Sequence, residues 1–255
     1  PQAARVIGRV PARRSTPQHE TEFIRRTNAR NDGFPNVSTV GGDASLTALD
    51  MSTGRTVWKK VLANWQDGYY VTAPPVYFDG MVFNAMSGGD SGARAFLSAH
   101  NAKTGKELWR FYAVPSKSSD PGYHNSWPQT IAFPGGGAMW NTPVVDPATH
   151  TVYVLAGNPI PYSGLLRGAG KELYSDSVLA IDTRTGKLKW YWQQTHHDIW
   201  DLDPTNPIIL FDLPNGGKGL AYAGKTGWVY ELNRLNGKPL IAGNIVEKAV
   251  PQNAK

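Results

Sequence analysis

The chain has 255 residues, no cysteine and a formal net charge of +6. Without Cys, disulfides, thiolate metal sites, Cys nucleophiles and covalently attached c-type haem are excluded. Seven Arg against three acids place +4 of the charge in residues 1–40, which leaves a near-neutral body with no nucleic-acid footprint.

No apolar run approaches the roughly 18 residues of a membrane-crossing helix. Arg5, Arg9, Arg13 and Arg14 interrupt the start, so no secretory signal is read there. The chain holds 27 Gly and 19 Pro together with 9 Trp. That much turn chemistry beside that many large rings predicts an all-β fold.

In chain order, residues 1–40 show no strand alternation and read as an Arg-rich arm, disordered or poorly packed. The body, 41–255, opens with a strand–turn–strand pattern, Ala48 to Trp58, built around Asp50-Met51-Ser52-Thr53-Gly54. The pattern recurs from Ala99 to Trp109 and from Ala180 to Trp190, and a degenerate copy runs from Leu232 to Leu240. In each, Asp or Asn opens a tight turn and Gly is able to take positive φ, and in the three full copies a Trp can dock between sheets. Trp58 and Trp109 are 51 residues apart, and Trp109 and Trp190 are 81 apart. The longer interval holds what reads as a partial unit, Asn141–Asp146 turning into Thr151–Leu155.

Repeats of roughly 40–50 residues with strand patterning predict propeller blades, four or five of them here. A sandwich with coincidental hairpins is the weaker alternative. The Pro-rich stretches Ala113–Pro134 and Pro159–Gly170 read as long functional loops.

Three clusters could carry chemistry. Asn84–Arg94 contains Gly88, Gly89 and Asp90, where glycines allow close backbone approach to a ligand. Gly135–Gly137 precede Trp140, so this ring is either open to a flat ligand or ordinary core. Asp198, Asp201 and Asp203 lie among Ile199, Trp200 and Leu202. On an extended segment Asp201 and Asp203 share a side, where they would hold a hard cation or cap a turn. His196 and His197 are adjacent and read as structural. No nucleophilic triad, phosphate loop or dinucleotide fingerprint is visible.

Across residues 41–250 these segments together resemble the quinoprotein alcohol dehydrogenases, which bind pyrroloquinoline quinone (PQQ) and a metal on an eight-bladed β-propeller. The resemblance rests on the docking repeats, on Asp67–Gly80, Ser87–Arg94, Trp140–Asn158 and His197–Asn206. It implies that Thr72 and Ser87 hydrogen-bond PQQ beside the Gly88 and Gly89 backbone, that Trp140 stacks on the quinone, and that Lys225 reaches its oxygens. It further implies Asp90, Asn158, Asp201 and Asp203 as metal ligands, calcium first and a lanthanide second, with Asp201 as the catalytic base. Asp90 stands where the family has Glu, and Ala138 where several relatives have a hydroxyl.

The implied reaction is oxidation of a small alcohol to an aldehyde in the periplasm, with cytochrome c or a quinone as electron acceptor. Two family features, an Arg for the PQQ carboxylates and a vicinal disulfide, do not align with residues 1–40. The later blades of the ring do not follow within the 255 residues, so the chain reads as a partial propeller. A non-catalytic propeller acting as a protein-binding scaffold would need the docking repeats but none of these site residues.

Overall fold

Every docking repeat folds around one carboxylate or carboxamide oxygen. Asp50 Oδ1 accepts the backbone N–H groups of Ser52 and Thr53 at 3.0 and 2.8 Å, and Asp182 Oδ1 accepts those of Arg184 and Thr185 at 3.1 and 3.0 Å. Asn101 does the same for Lys103 and Thr104, at 3.0 Å each. The turns close when Gly54, Gly105, Gly186 and Gly237 donate N–H to Asp50, Asn101, Asp182 and Asn233 carbonyls at 2.8–2.9 Å. All four glycines have φ near +70°, where a side chain is strained.

A computed structural model describes residues 36–241 except 121, 124–125 and 129–133. The first sheet contains β1 (Asn36–Val40), β2 (Ser45–Leu49) and β3 (Thr56–Val61), in that order. The second is β4 (Val76–Phe78), β5 (Met81–Ala85), β6 (Phe96–Asn101) and β7 (Glu107–Tyr112). After the two-residue β8 (Gly135–Gly136), the third sheet begins with β9 (Val144–Asp146) and β10 (Thr151–Ala156). The chain then leaves through β11 (Pro159–Ile160), which pairs with β8, and a short helix, Gly164–Arg167, before returning as β12 (Ser177–Asp182) and β13 (Leu188–Gln193). The fourth sheet is β14 (Ile209–Asp212), β15 (Lys218–Ala223) and β16 (Val229–Asn233).

All strand pairs are antiparallel, and the same register shift recurs at Ala48/Leu49, Ala99/His100 and Ala180/Ile181, one per repeat. These are four propeller blades among the described residues. Two boundaries differ from the sequence reading. The first blade starts at Asn36 rather than at residue 41, because β1 pairs with β2 from Asn36↔Leu49 to Val40↔Ser45. The rest of the expected arm, residues 1–35, lies outside the described residues. Residues 141–155 are not a partial unit. β9 and β10 belong to the blade of β12 and β13, and the 81-residue Trp spacing comes from two long connections, 113–143 before β9 and 157–176 between β10 and β12.

The blades dock through the repeats. Trp58 donates its indole N–H to Ala102 O at 2.9 Å, Trp109 to Thr183 O at 2.9 Å and Trp190 to Arg234 O at 3.2 Å, in each case in the following blade. Each ring lies over that blade's turn glycine. A Cβ on Gly105, Gly186 or Gly237 would sit 2.5–2.7 Å from Trp58, Trp109 or Trp190.

The third blade is buried on both faces, as strand alternation between two cores requires. Val152, Val154, Leu179 and Ile181 pack with Phe83, Leu97 and Phe111 of the second blade. Tyr153, Leu155, Val178 and Ala180 pack with Leu220, Tyr222, Tyr230 and Leu232 of the fourth. No helix among the described residues is long and apolar enough to cross a membrane.

Candidate functional site

Backbone hydrogen bonds lace the loops at one end of the blades into a single frame. Met139 N–H donates to Met86 O at 2.9 Å, Gly157 N–H to Ala138 O at 3.0 Å, and Gly137 N–H to Asn158 O at 2.8 Å. Farther along, Asp176 N–H reaches Gly157 O at 2.9 Å, Gln194 N–H reaches Asp176 O at 2.8 Å, and Lys225 N–H reaches Asp203 O at 2.9 Å. Segments that lie far apart in sequence therefore sit side by side.

On this frame Thr72, Ser87 and Trp140 come together. The Thr72 and Ser87 hydroxyls are 2.7 Å apart, and Thr72 Oγ1 also donates to Trp140 O at 3.4 Å. Trp140 is 36% exposed, so its indole presents an open surface rather than core. Gly88, at φ +97°, and Gly89 continue from Ser87. A Cβ on Gly88 would collide with Gly68 O, and one on Gly89 would meet Ala138 Cβ at 2.9 Å. Their small size is demanded by backbone packing at the floor of the site.

The second group is Asn158, Asp201, Asp203 and Lys225. Lys225 Nζ lies 2.8 Å from Asp201 Oδ2 and 2.6 Å from Asp203 Oδ2. Asp203 is buried, and its Oδ1 accepts the Asn158 N–H at 2.6 Å. Burial pushes the Asp203 carboxyl up, to about 6, against the pull of Lys225 and of the Asn158 N–H. Burial also works against the Lys225 ammonium, yet hydrogen bonds and charge from Asp201 and Asp203 outweigh it and hold its pKa above the ordinary lysine value.

Asp201 and Asp203 do not alternate on an extended segment, as the sequence suggested. Asp201 has φ +62°, inside a turn made by Asp198, whose Oδ1 and Oδ2 accept the Trp200 and Leu202 N–H groups at 2.8 and 2.7 Å. The turn leaves the Asp201 side chain 47% exposed while Asp203 points inward at 6%.

Asp90 is exposed on the loop between β5 and β6. No three His, Asp or Glu side chains among the described residues form a ready-made metal cluster. The oxygen-only donor set of Asp90, Asn158, Asp201 and Asp203 nevertheless has the chemistry a hard cation requires.

Sequence reasoning missed the charged group behind the turn of Asp201. Arg167 is fully buried and pairs with Glu172 at 2.6 Å, and Glu172 also takes His197 Nδ1 at 2.6 Å. Arg167 Nη2 donates to Asp198 O and, at 3.3 Å, to Tyr162 O. The expected structural role of His197 agrees with its place in this group.

The family of PQQ glucose/ethanol/alcohol dehydrogenase β-propeller domains matches residues 59–255, and the chain belongs to it. Among its relatives, quinohemoprotein alcohol dehydrogenase of Comamonas testosteroni is 36% identical over 220 residues, 80% of this chain and 31% of the relative. Quinoprotein alcohol dehydrogenase PedH of Pseudomonas putida is 34% identical over 81% of this chain and 37% of its own length. The chain thus spans about a third of the length of these curated relatives. Among solved structures, a europium-containing methanol dehydrogenase superposes with a TM-score of 0.71 at 28% identity, over 80% of this chain and 39% of that one.

Proposed function

We propose that this chain supplies the PQQ- and metal-binding half-site of an alcohol dehydrogenase that oxidises a small alcohol to an aldehyde. The observation that carries the reading is the Asp201–Lys225 pair at 2.8 Å, exposed at Asp201 and backed by the buried Asp203–Asn158 contact. A scaffold would need the Trp docking alone.

Trp140 offers its open indole as the stacking surface, and the Thr72 and Ser87 hydroxyls are placed to bond the edge of the cofactor beside Gly88 and Gly89. Asp90, Asn158, Asp201 and Asp203 would hold the cation, calcium or a lanthanide. When bound, PQQ supplies the acceptor for the hydride leaving the alcohol carbon, and the cation supplies Lewis acidity at the quinone oxygen. Asp201 takes the hydroxyl proton onto a carboxylate oxygen as general base. The protonated Lys225 orients that carboxylate and presents a cationic donor beside it. Cytochrome c or a quinone would receive the electrons, and the periplasm would be the working compartment, in keeping with relatives named quinohemoprotein and quinone-type dehydrogenases.

The test is titration of the protein with PQQ in the presence of calcium and then lanthanum, following quinone absorbance and metal stoichiometry. Saturable, metal-dependent binding near one PQQ per chain is expected. A folded protein that binds neither would refute the half-site and favour the scaffold.

A further inference from the structure

Two segments at one end of the third blade hold strained backbone. Glu172 and Asp176, just before β12, and His197 and Asp201, just after β13, have φ of +57°, +48°, +55° and +62°. None is glycine, and such angles persist in other residues only where surrounding contacts over-determine them. The Asp201 side chain supplies little of that constraint, because it is 47% exposed and paired with the half-exposed Lys225. What fixes its direction lies in the backbone beneath it.

That backbone hangs on Asp198, whose carboxylate accepts the Trp200 and Leu202 N–H groups at 2.8 and 2.7 Å. The Asp198 carbonyl in turn accepts Arg167 Nη2, from the connection between β10 and β12. Arg167 Nη1 meets Glu172 Oε2 at 2.6 Å, and Glu172 Oε1 lies 2.6 Å from Nδ1 of His197, the residue just before Asp198. The Arg167 and Glu172 side chains are fully buried, while that of His197 is 29% exposed. The short helix packs on the same stretch. A Cβ on Gly164 would meet Ile199 Cγ2 at 2.7 Å and His197 Nε2 at 2.8 Å. Residues 197, 198 and 199 are therefore each held from this one connection, immediately before the strained Asp201.

We propose that His197 is a positioning residue for Asp201: its contact with Glu172, itself locked to Arg167, fixes the turn from which the Asp201 carboxylate is presented to the cation and to the substrate hydroxyl. This rests on the proposed cation site and adds to it a residue outside the ligand set. His197 acts through the turn and exchanges no proton with the substrate. Fixing the turn beforehand raises affinity by lowering the ordering cost of binding.

The test uses the full chain with terbium as the probe, no PQQ present, and tryptophan-sensitised terbium luminescence as the readout. His197→Gly accepts the φ of +55° without strain but has no ring. It is expected to raise the dissociation constant about three- to tenfold, the range of one hydrogen bond. His197→Asn keeps an N–H close to the place of Nδ1 and tolerates the same φ, so it should return to within about twofold of wild type. In an Asp201→Asn background the His197→Gly penalty should vanish, because the carboxylate it positions is gone, whereas a merely structural role would leave it in place. A penalty that persists beside Asp201→Asn, or no recovery in His197→Asn, would overturn the proposal. A folded wild type that binds no terbium would remove the cation site itself and this inference with it. A bound wild type with an indifferent His197→Gly would remove the inference alone.

Discussion

The Asp203 carboxylate accepts the backbone N–H of Asn158 at 2.6 Å, joining residues 45 positions apart. Its other oxygen meets Lys225 at 2.6 Å, so one buried side chain fixes both a proposed ligand turn and the cationic partner of Asp201. Asp203→Ala is expected to weaken metal binding, and to weaken lanthanum more than calcium, since a trivalent ion gains more from a third carboxylate. Parallel titrations with the two ions check this. Equal losses would assign Asp203 to the Asn158 turn alone.

Asp201 is the exposed member of the Lys225 pair and stands at φ +62° on a turn made by Asp198. Asp201→Asn keeps the shape and removes the base. Turnover in the complete enzyme should fall by about 10²–10⁴-fold while PQQ is retained, as steady-state rates and bound-quinone absorbance would report. Unchanged turnover would move the base elsewhere.

Trp140→Ala should weaken PQQ binding by on the order of 1 kcal/mol, the contribution of a stacked ring pair. Because this indole is 36% exposed, the melting temperature should barely move. Equilibrium titration and thermal unfolding of one sample separate the two effects. A large loss of stability with unaltered affinity would make this Trp a packing residue.

The docking turns allow a matched comparison. Gly54 and Gly186 have φ of +70° and +69°, so Ala strains both equally. A Cβ at Gly186 would meet Trp109 at 2.7 Å, whereas one at Gly54 meets nothing within 4 Å. Gly186→Ala should cost about 1–3 kcal/mol more than Gly54→Ala in denaturant unfolding, the usual penalty of overpacking. Equal costs would mean that the Trp–Gly contact is not tight.

Burial raises the Glu172 carboxyl to about 8, although Arg167 pulls it down. A folded-state pKa above the unfolded value means that the native state binds the extra proton. Glu172 then contributes stability at low pH that is lost as pH rises from about 4.5 toward 8. Glu172→Gln should remove that slope, which melting temperatures across the window would show. A variant with the wild-type slope would place the titration on another group.

The repeats were legible because their determinants are local. An Asp or Asn oxygen two and three residues ahead of its N–H partners, followed by a Gly at positive φ, specifies the same turn wherever it occurs, and the Trp four residues later marks the docking edge. The loop clusters around Ser87, Trp140 and Asp201 were legible as motifs for the same reason. Their convergence was not. That Thr72 meets Ser87 and that Lys225 bridges Asp201 and Asp203 depends on how blades stack.

The sequence also misread residues 141–155 as a separate unit, since strand patterning carries no label for the sheet a strand will join. Alone, it determined the all-β class, the blade repeat and the residue types of the site. Only the tertiary structure decided the strand partners, the inward turn of Asp203 against the outward turn of Asp201, and the buried Arg167–Glu172–His197 anchor. Hydrogen bonds and ion pairs act over about 3 Å, so partners distant in sequence are chosen only when the packed cores bring their backbones within reach.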